Sequence, residues 1–266
     1  APYTSGGGWL YAMQDQRVSL GLISGLHYAH PGFDPHRALQ QFKCHPSIRK
    51  ILAGGELLHY GAKTLSQGGY WSMPKAYAPG ALLIGDGAGL VDSLRLKGIH
   101  LAIKSGMLAA ETVFAALQTQ DPANSLHSYA DSLRNSWLQR EMWAARNHHQ
   151  ALQYGLMRGL WHVALQRLTG GRGLYQRYKN KSAHAYFNSA LLNKNPLRQN
   201  VQDKDAVVFT RSTSVYHSGT QHAGDQPVHI KLADPDLCHP RCTREFANPC
   251  QKFCPAGVFE IQNPAF

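Results

Sequence analysis

A short apolar run near residue 80 is followed by a glycine turn and then by a long helical pattern. Residues Ala81 to Ile84 are all apolar, which predicts a buried strand. The turn Gly85-Asp86-Gly87 ends this strand with residues that let a ligand approach the backbone closely. From about Gly98 onward, small and apolar residues recur at helical spacing, at Ile99, Ala102, Ile103, Gly106, Met107 and Ala110. Because the first N–H groups of a helix are free, this N-terminus favours an anionic or electron-rich group.

The N-terminal part of the chain predicts a β-hairpin followed by a helix. Three glycines lead into an apolar strand at Trp9 to Tyr11, and a second strand covers Val18 to Leu26 after a polar turn. The pair Asp34-Pro35 then starts a helix to about Cys44, with aspartate as the cap and proline in the favoured first position. Cys44 and His45 could form a pair of metal ligands, but no further ligands lie nearby in the sequence, so we expect Cys44 to be structural.

The middle of the chain is predicted to be helical. The helix that begins near Gly98 is expected to end near Leu117, and a further long helix is predicted from Tyr129 to His149. From Ala151 to Leu168 a broad apolar sector faces a polar stripe, and a basic run with interleaved tyrosines follows. The stripe consists of Arg158, His162 and Gln166. This combination fits a helix that lies in a bilayer interface, although most amphipathic helices pack on a protein core.

Four cysteines are concentrated near the C-terminal end, after two predicted strands at Val207 to Phe209 and Val228 to Leu232. They are Cys238, Cys242, Cys250 and Cys254, and Cys254 is followed by proline. Such a cluster points to metal or iron–sulfur chemistry more than to a disulfide framework. The spacings match neither a bacterial ferredoxin nor the common zinc patterns.

Composition narrows the class of protein. The chain has 266 residues, of which 43% are hydrophobic, so we expect a globular fold with one large or two small domains. The net charge of +11 can keep the protein soluble, or it can attract a nucleic acid or an anionic membrane surface. No nucleic-acid motif is present, so no nucleic-acid partner is expected. There is neither a signal peptide nor an apolar run of about 20 residues, and the absence of a starting Met suggests a fragment.

Several blocks resemble one family in the right order. The strand–turn–helix unit is similar to the second flavin motif of glutathione-reductase-like flavoproteins. Together with other blocks it resembles the electron transfer flavoprotein–ubiquinone oxidoreductase family. The blocks are Phe42-Lys-Cys-His-Pro-Ser-Ile-Arg49, Leu83-Ile-Gly-Asp-Gly-Ala-Gly89, Lys97-Gly-Ile-His-Leu-Ala-Ile-Lys-Ser-Gly-Met-Leu-Ala-Ala-Glu111 and Gln251-Lys-Phe-Cys-Pro-Ala-Gly-Val-Phe-Glu260.

The resemblance implies an α+β (α/β) fold. It comprises a partial glutathione-reductase-like FAD domain with a quinone-binding region, and an incomplete ferredoxin-like cluster domain. Residues 1–80 would form the quinone-binding strands and helix, and residues 81–118 the C-terminal FAD-binding segment. Residues 119–200 would form a helical, membrane-facing region, and residues 201–266 a partial ferredoxin-like [4Fe–4S] domain.

The resemblance also implies binding residues for FAD and ubiquinone. Gly85 and Asp86 would hold the ribityl chain of FAD. The helix end would lie beside the isoalloxazine, through Gly98, Ile99 and His100. The backbone of Gly6 and Gly7 would bind a quinone oxygen, although glycines at the start of a strand are usually only turn residues. No side-chain acid or base is implied, so we expect no catalytic residue in this chain.

For the iron–sulfur cluster, the resemblance carries over to one cysteine. Cys254 would be one ligand of a [4Fe–4S] cluster, whose other ligands in the family come from a later Cys-x2-Cys-x2-Cys run that is absent here. Cys238, Cys242 and Cys250 have no counterpart and are less favoured as ligands. The family's tyrosine in the Cys-Pro-Ala-Gly-Val-Tyr segment donates a hydrogen bond near the cluster, whereas this chain has Phe259. Loss of that donor predicts a lower cluster potential.

The resemblance implies an oxidoreductase with a quinone acceptor, an electron-transferring-flavoprotein dehydrogenase. Electrons would pass from reduced electron transfer flavoprotein through the cluster and FAD to ubiquinone. The protein would be peripheral on the inner membrane, on the cytoplasmic face in a bacterium or the matrix face in a mitochondrion. The first flavin motif, Gly-x-Gly-x-x-Gly, is missing from the chain, so the isolated fragment is expected to be inactive.

Two alternatives remain open from the sequence. A flavin monooxygenase or geranylgeranyl-reductase-like flavoenzyme shares the Gly-Asp block, but the Cys-Pro-Ala-Gly-Val-Phe segment argues against it. A non-enzymatic, cysteine-rich module that docks on membranes would bind zinc at the four clustered cysteines. Elemental and flavin analysis separates the three hypotheses.

Overall fold

A computed structural model describes residues 5–92, 95, 97–152, 155–172, 176–179, 181–192, 194, 206–227, 231, 233–234 and 236–261. The chain divides into two compact units, the first formed by residues 1–62 and 181–266 and the second by residues 63–180. The architecture is α+β, since helices are combined with two small antiparallel sheets of two strands each. The fold is therefore mixed, as the sequence predicts.

The elements follow one another in this order: β1 Gly6–Ala12, β2 Val18–Ser24, α1 Pro35–Lys43, α2 Pro46–Leu52, β3 Tyr77–Ala78, β4 Ala81–Leu82, α3 Ile99–Ala116, α4 Ser128–Asn135, α5 Trp137–Ala144, α6 His148–Leu152, α7 Leu156–Leu168, α8 Arg211–Tyr216, α9 Thr243–Phe246 and α10 Cys250–Phe253. Short 3₁₀ turns separate several of these elements. A π-helical turn, Leu237–Cys242, immediately precedes α9.

The predicted hairpin and first helix are confirmed in the first unit. Strands β1 and β2 pair antiparallel, with Gly7 opposite Ile23. The turn between them places Asp15 and Gln16 at positive φ, which short polar side chains tolerate better than branched ones. Helix α1 begins after Asp34, whose carboxylate accepts a hydrogen bond from the backbone N–H of Arg37 at 3.0 Å.

The core of the second unit forms around one face of α3. Its buried residues are Ala88, Leu90, Leu101, Leu108, Ala109, Tyr129, Leu133, Leu138 and Met142. The predicted helix from Gly98 is confirmed, but Ile99, Ile103 and Met107 point to solvent, and Ile99 is 80% exposed. By length and composition α3 could also cross a membrane, a criterion that core helices meet as well.

The predicted buried strand at Ala81 to Ile84 is wrong in length and burial. Strand β4 contains only Ala81–Leu82, and both Leu83 and Ile84 are exposed. The physical reason is that β4 pairs only with the two-residue strand β3 in the described chain. An apolar run is buried only where neighbouring elements cover it.

Two further predictions of secondary structure are also wrong. The single helix from Tyr129 to His149 is broken into α4, α5 and α6. Ser136 adopts an extended conformation with φ −82° and ψ 163° between α4 and α5, and Ala145 leaves the helical conformation at the end of α5, with φ −97° and ψ 4°. Residues 207–209 do not form a strand, since the N–H of Phe209 bonds to the side chain of Gln40 instead of a neighbouring strand. The second predicted strand, at residues 228–232, falls largely outside the described residues.

Candidate functional site

The glycine turn after β4 packs tightly onto α3. Gly85 has a φ of +55°, and a Cβ built there would lie 3.1 Å from the Cβ of Ala102. Its backbone N–H donates to the Oγ of Ser105 at 2.9 Å. These contacts hold the turn against the second turn of the helix, so glycine is required for the close approach.

Beside this turn, the residues predicted to hold FAD remain accessible. Asp86 is partly exposed, and its carboxylate lies 3.8 Å from the Nζ of Lys63. Gly98 precedes α3 without a side-chain cap, and a Cβ at Gly87 would contact nothing within 4 Å. Free N–H groups, an accessible carboxylate and open space are what a flavin would need here, so these residues fit the group.

His100 has a second set of contacts that the sequence did not reveal. Its Nε2 lies 2.8 Å from Oε1 of Glu141, and its ring stacks on Trp137 at 5.9 Å with an interplanar angle of 6°. Arg95 also donates to Glu141, at 3.2 Å. The imidazole is therefore held by α5. Only the backbone N–H of His100, at the N-terminus of α3, would be available to a flavin.

Gly6 and Gly7 lie on the exposed start of β1. A Cβ on Gly6 would collide with the carbonyl oxygen of Ile23 at 2.2 Å, whereas a Cβ on Gly7 would contact nothing within 4 Å. Gly6 is therefore required by the close approach of the two strands. Gly7 has open space beside it, into which a ligand could fit.

Among the clustered cysteines, Cys254 is the most buried, with 9% of its surface exposed. It directly follows α10, and its N–H donates to the carbonyl of Cys250 at 3.3 Å. A buried thiol fits the role of one iron ligand. Among the described residues, however, no group of three or more His, Cys, Asp or Glu side chains is arranged to hold a metal ion, so a complete ligand set is not assembled there.

Cys238, Cys242 and Cys250 lie near one another, and all cysteines are free thiols. Burial raises the pKa of Cys242, and the neighbouring Cys250 and Cys238 raise it further. Cys242 is therefore a protonated thiol at neutral pH. As ligands, the three remain the less favoured prediction.

Arg211 is a structural residue near Cys254 that sequence analysis missed. Its guanidinium donates to the carboxylate of Asp34 at 2.8 Å and to the carbonyls of Gln251 and Lys252 at 2.7 and 2.8 Å. It thereby joins the cap of α1 to the turn of chain that carries Cys254. No local motif marks such a residue, because its partners are far away in the sequence.

Tyr28 lies in the same unit and is fully buried. Its ring packs against Phe33 and Phe187 with centroid distances of 5.2 and 5.3 Å. Its hydroxyl has no hydrogen-bond partner among the residues that the structure describes. Burial, together with the charges of Asp34 and Cys250, raises the pKa of Tyr28 to about 12. The hydroxyl is therefore a permanently protonated donor close to α10.

Helix α7 presents its apolar side outward. Trp161 is 75% exposed and Leu168 is 86% exposed, whereas Gln166 of the polar stripe is fully buried. Arg158 of the same stripe is exposed, and His162 is half-buried with its ring packed 5.1 Å from that of Tyr178. In an ordinary surface helix the apolar side faces the core. This reversed arrangement is the one that an interfacial helix requires.

Comparison with known proteins connects both ends of the chain to one family. Residues 1–65 match the family model described as ETF-QO, ubiquinone-binding. Residues 205–265 match the model described as electron transfer flavoprotein-ubiquinone oxidoreductase, 4Fe-4S. The first match includes Gly6 and Gly7, and the second includes Cys254.

Curated relatives match almost the whole chain. The mitochondrial electron transfer flavoprotein-ubiquinone oxidoreductase of Arabidopsis thaliana is 39% identical over 260 residues, which are 97% of this chain and 40% of that protein. The human mitochondrial protein of the same name is 37% identical, covering 97% and 43%. The Pseudomonas aeruginosa protein is 34% identical, covering 97% and 47%. The chain thus spans less than half the length of these relatives.

Proposed function

Because the chain belongs to the electron transfer flavoprotein–ubiquinone oxidoreductase family and corresponds to its C-terminal part, we propose that the whole protein passes electrons from reduced electron transfer flavoprotein to ubiquinone. The observation that carries the proposal is the order of the two family matches along one chain. The ubiquinone-binding match comes first and the 4Fe-4S match last. Neither alternative class of protein from the sequence accounts for both matches.

FAD would supply electron transfer at the turn between β4 and α3. Asp86 would accept hydrogen bonds from the hydroxyls of the ribityl chain, and Lys63 would neutralise its charge when the site is empty. The N-terminus of α3, at Gly98 to His100, would stabilise negative charge on the flavin edge, because its N–H groups and dipole point outward. We place residues 81–118 as the C-terminal FAD-binding segment of a glutathione-reductase-like FAD domain.

Ubiquinone would bind at the start of the hairpin. The backbone of Gly6 and Gly7 would hold a quinone oxygen, and the open space at Gly7 leaves room for the ring. Residues 1–80 would then form the quinone-binding region, and residues 119–200 a helical, membrane-facing region. Exposed Tyr11 and Met13 at the end of β1 and just beyond it favour contact with lipid.

The cluster would be held in part by Cys254. This thiol would supply one of the ligands of a [4Fe–4S] cluster in a ferredoxin-like domain at residues 201–266. Cys238, Cys242 and Cys250 are the less favoured ligands of the same site. The role of the described residues is therefore to position Cys254 and exclude water from it, which the Arg211 contacts support.

We place the protein on the inner membrane, on the matrix face of a mitochondrion or the cytoplasmic face of a bacterium. The reversed helix α7 and the net charge of +11 both favour a membrane surface. The attraction should weaken in high salt, since surface charges are screened over about 10 Å at 0.1 M ionic strength.

The test uses the full-length product of the source gene. Iron, sulfide and flavin are assayed, and reduction of a water-soluble quinone by reduced electron transfer flavoprotein is measured in detergent. We expect iron with sulfide, FAD and partner-dependent activity, and the Gly7→Val variant should raise the KM for quinone with unchanged flavin content. Flavin without iron would instead support the monooxygenase or reductase class, and zinc without flavin the docking module.

A further inference from the structure

A basic and aromatic cavity lies in the second unit. Its volume is about 480 Å³, and it is lined by Trp71, Ser72, Arg177, Tyr178 and Lys179. None of these residues is among those proposed to contact FAD, the quinone or the cluster, although Trp71 and Ser72 fall within the proposed quinone-binding region at residues 1–80. The proposed binding of FAD, quinone and cluster therefore does not explain this cavity.

The walls of the cavity are held in place by a buried side chain. Asn147 is fully buried, and its Oδ1 accepts hydrogen bonds from the indole N–H of Trp71 at 2.8 Å and from the backbone N–H of Tyr178 at 3.5 Å. Its Nδ2 donates to the carbonyl of Gln176 at 2.8 Å. Trp143 packs edge-on against Trp71 at 5.7 Å. The cavity is thus a supported feature and not a gap between loose side chains.

The cavity is positively charged. Arg177 stacks over the ring of Trp71 at 5.3 Å and donates to the Trp71 carbonyl at 3.5 Å. Within the described part of the chain this is the one hydrogen bond of the guanidinium, so most of its N–H groups remain available there. No described carboxylate forms an ion pair with Arg177 or Lys179. In the sequence, residues 142–181 contain seven Lys or Arg residues and no Asp or Glu.

The cavity adjoins the helix whose apolar side is exposed. Tyr178 lines the cavity with one part and packs its ring against His162 of α7 at 5.1 Å. The neighbouring Trp161 and Met157 of α7 are 75% and 78% exposed. An anion in the cavity would therefore be separated from α7 by the Tyr178 side chain, and the outward side of this helix is an exposed apolar surface that the acyl chains of a phospholipid would cover.

We infer that this cavity binds the phosphate of an anionic phospholipid. Arg177 contributes a planar fork that matches two phosphate oxygens, and Lys179 adds a second charge. The inference rests on the proposed membrane association and specifies which lipid chemistry the surface recognises. A soluble acidic protein would explain the charge of the cavity but not the exposed apolar side of α7.

The experiment measures binding of the full chain to vesicles by flotation. Vesicles of phosphatidylcholine alone are compared with vesicles that also contain phosphatidylglycerol. Arg177→Lys keeps the charge but removes the planar guanidinium, and Arg244→Lys makes the same change at an exposed position of α9, outside both the cavity and α7. We expect the wild type to prefer the anionic vesicles and Arg177→Lys to lose about fivefold to tenfold of that affinity. Arg244→Lys should bind as the wild type does, and thermal melts confirm that both variants fold.

Each other outcome overturns the inference. Equal binding of wild type and Arg177→Lys would mean that a diffuse charge attracts the membrane. Inorganic phosphate that displaces the wild type from vesicles, at ionic strength matched with sodium chloride, would make free phosphate the ligand. Displacement by soluble polyglutamate, lost in Arg177→Lys, would indicate an acidic protein surface. Electron transfer in detergent does not depend on vesicles, so failure of the inference is distinguishable from failure of the proposed function.

Discussion

Arg211 and Asp34 form an ion pair of 2.8 Å between residues that are 177 positions apart in the sequence. Both side chains are largely buried, and the same guanidinium also holds the carbonyls of Gln251 and Lys252. A single residue therefore connects the start of α1 to the segment that leads to Cys254. Because that segment carries the candidate cluster ligand, the pair links the fold of the first unit to its chemistry.

The Arg211→Met variant should lose about 2 kcal/mol of unfolding free energy, because it leaves a partly buried carboxylate and two carbonyls without their donor. Alkylation of Cys254, followed by mass spectrometry of the peptide, should become faster. Arg134→Met removes the donor of an exposed ion pair with Asp131 and should change stability by less than about 0.5 kcal/mol. Equal effects of the two substitutions would contradict the role of Arg211.

The Gly85→Ala variant should destabilise the second unit by about 1 to 2 kcal/mol. The backbone there has φ +55°, and the new methyl group would press on Ala102. Gly87→Ala is the matched control, because its Cβ would meet open space, and we expect a change below about 0.5 kcal/mol. Urea denaturation followed by circular dichroism gives both values. If Gly85→Ala were as stable as Gly87→Ala, the close packing of the turn on α3 would be refuted.

Acid should weaken the second unit through His148. Burial lowers the pKa of this histidine to about 4, although Asp92 partly opposes the effect. The unfolded chain takes up a proton near pH 6.5 and the folded chain only near pH 4. Stability from this group is therefore full above pH 6.5 and falls as the pH drops from 6.5 to 4, by roughly 3 kcal/mol.

The measurement for His148 compares urea denaturation of the wild type and His148→Leu at pH 7.5 and pH 4.5. Leucine does not titrate, so the wild type should lose more stability than the variant between these two pH values. Neither ring nitrogen of His148 has a hydrogen-bond partner among the described residues, so leucine should not be destabilising at pH 7.5. Parallel losses in the two proteins would rule out His148 as the group responsible.

Phe259→Tyr in the full-length protein should raise the midpoint potential of the proposed cluster. A hydroxyl donor near cluster sulfur stabilises the more negative reduced state. Redox titration followed by electron paramagnetic resonance gives the potential. An unchanged or lower value in the variant would count against the prediction.

Several local features could be predicted from the sequence because their causes are local. The hairpin follows from alternating strands and a polar turn, and α1 follows from Asp34-Pro35. The helix after Gly98 follows from its apolar period. The resemblance of whole blocks then placed the chain in its family. In each case the residues that determine the element are close to one another in the sequence.

Which side of each element is buried depends on the packing of elements that are distant in the sequence. The apolar run after Ala81 could be taken for a buried strand, yet Ile84 is exposed, because β4 has a single short partner. Helix α7 has the expected two sides, but only the packing reveals that Gln166 faces inward and Trp161 outward. The ion pair of Arg211 with Asp34 could not be predicted from the sequence either, since burial and long-range ion pairs depend on elements that are far apart in the sequence. The local elements and the resemblance to one family thus follow from the order of the amino acids, whereas burial and long-range contacts follow from how the elements pack against one another.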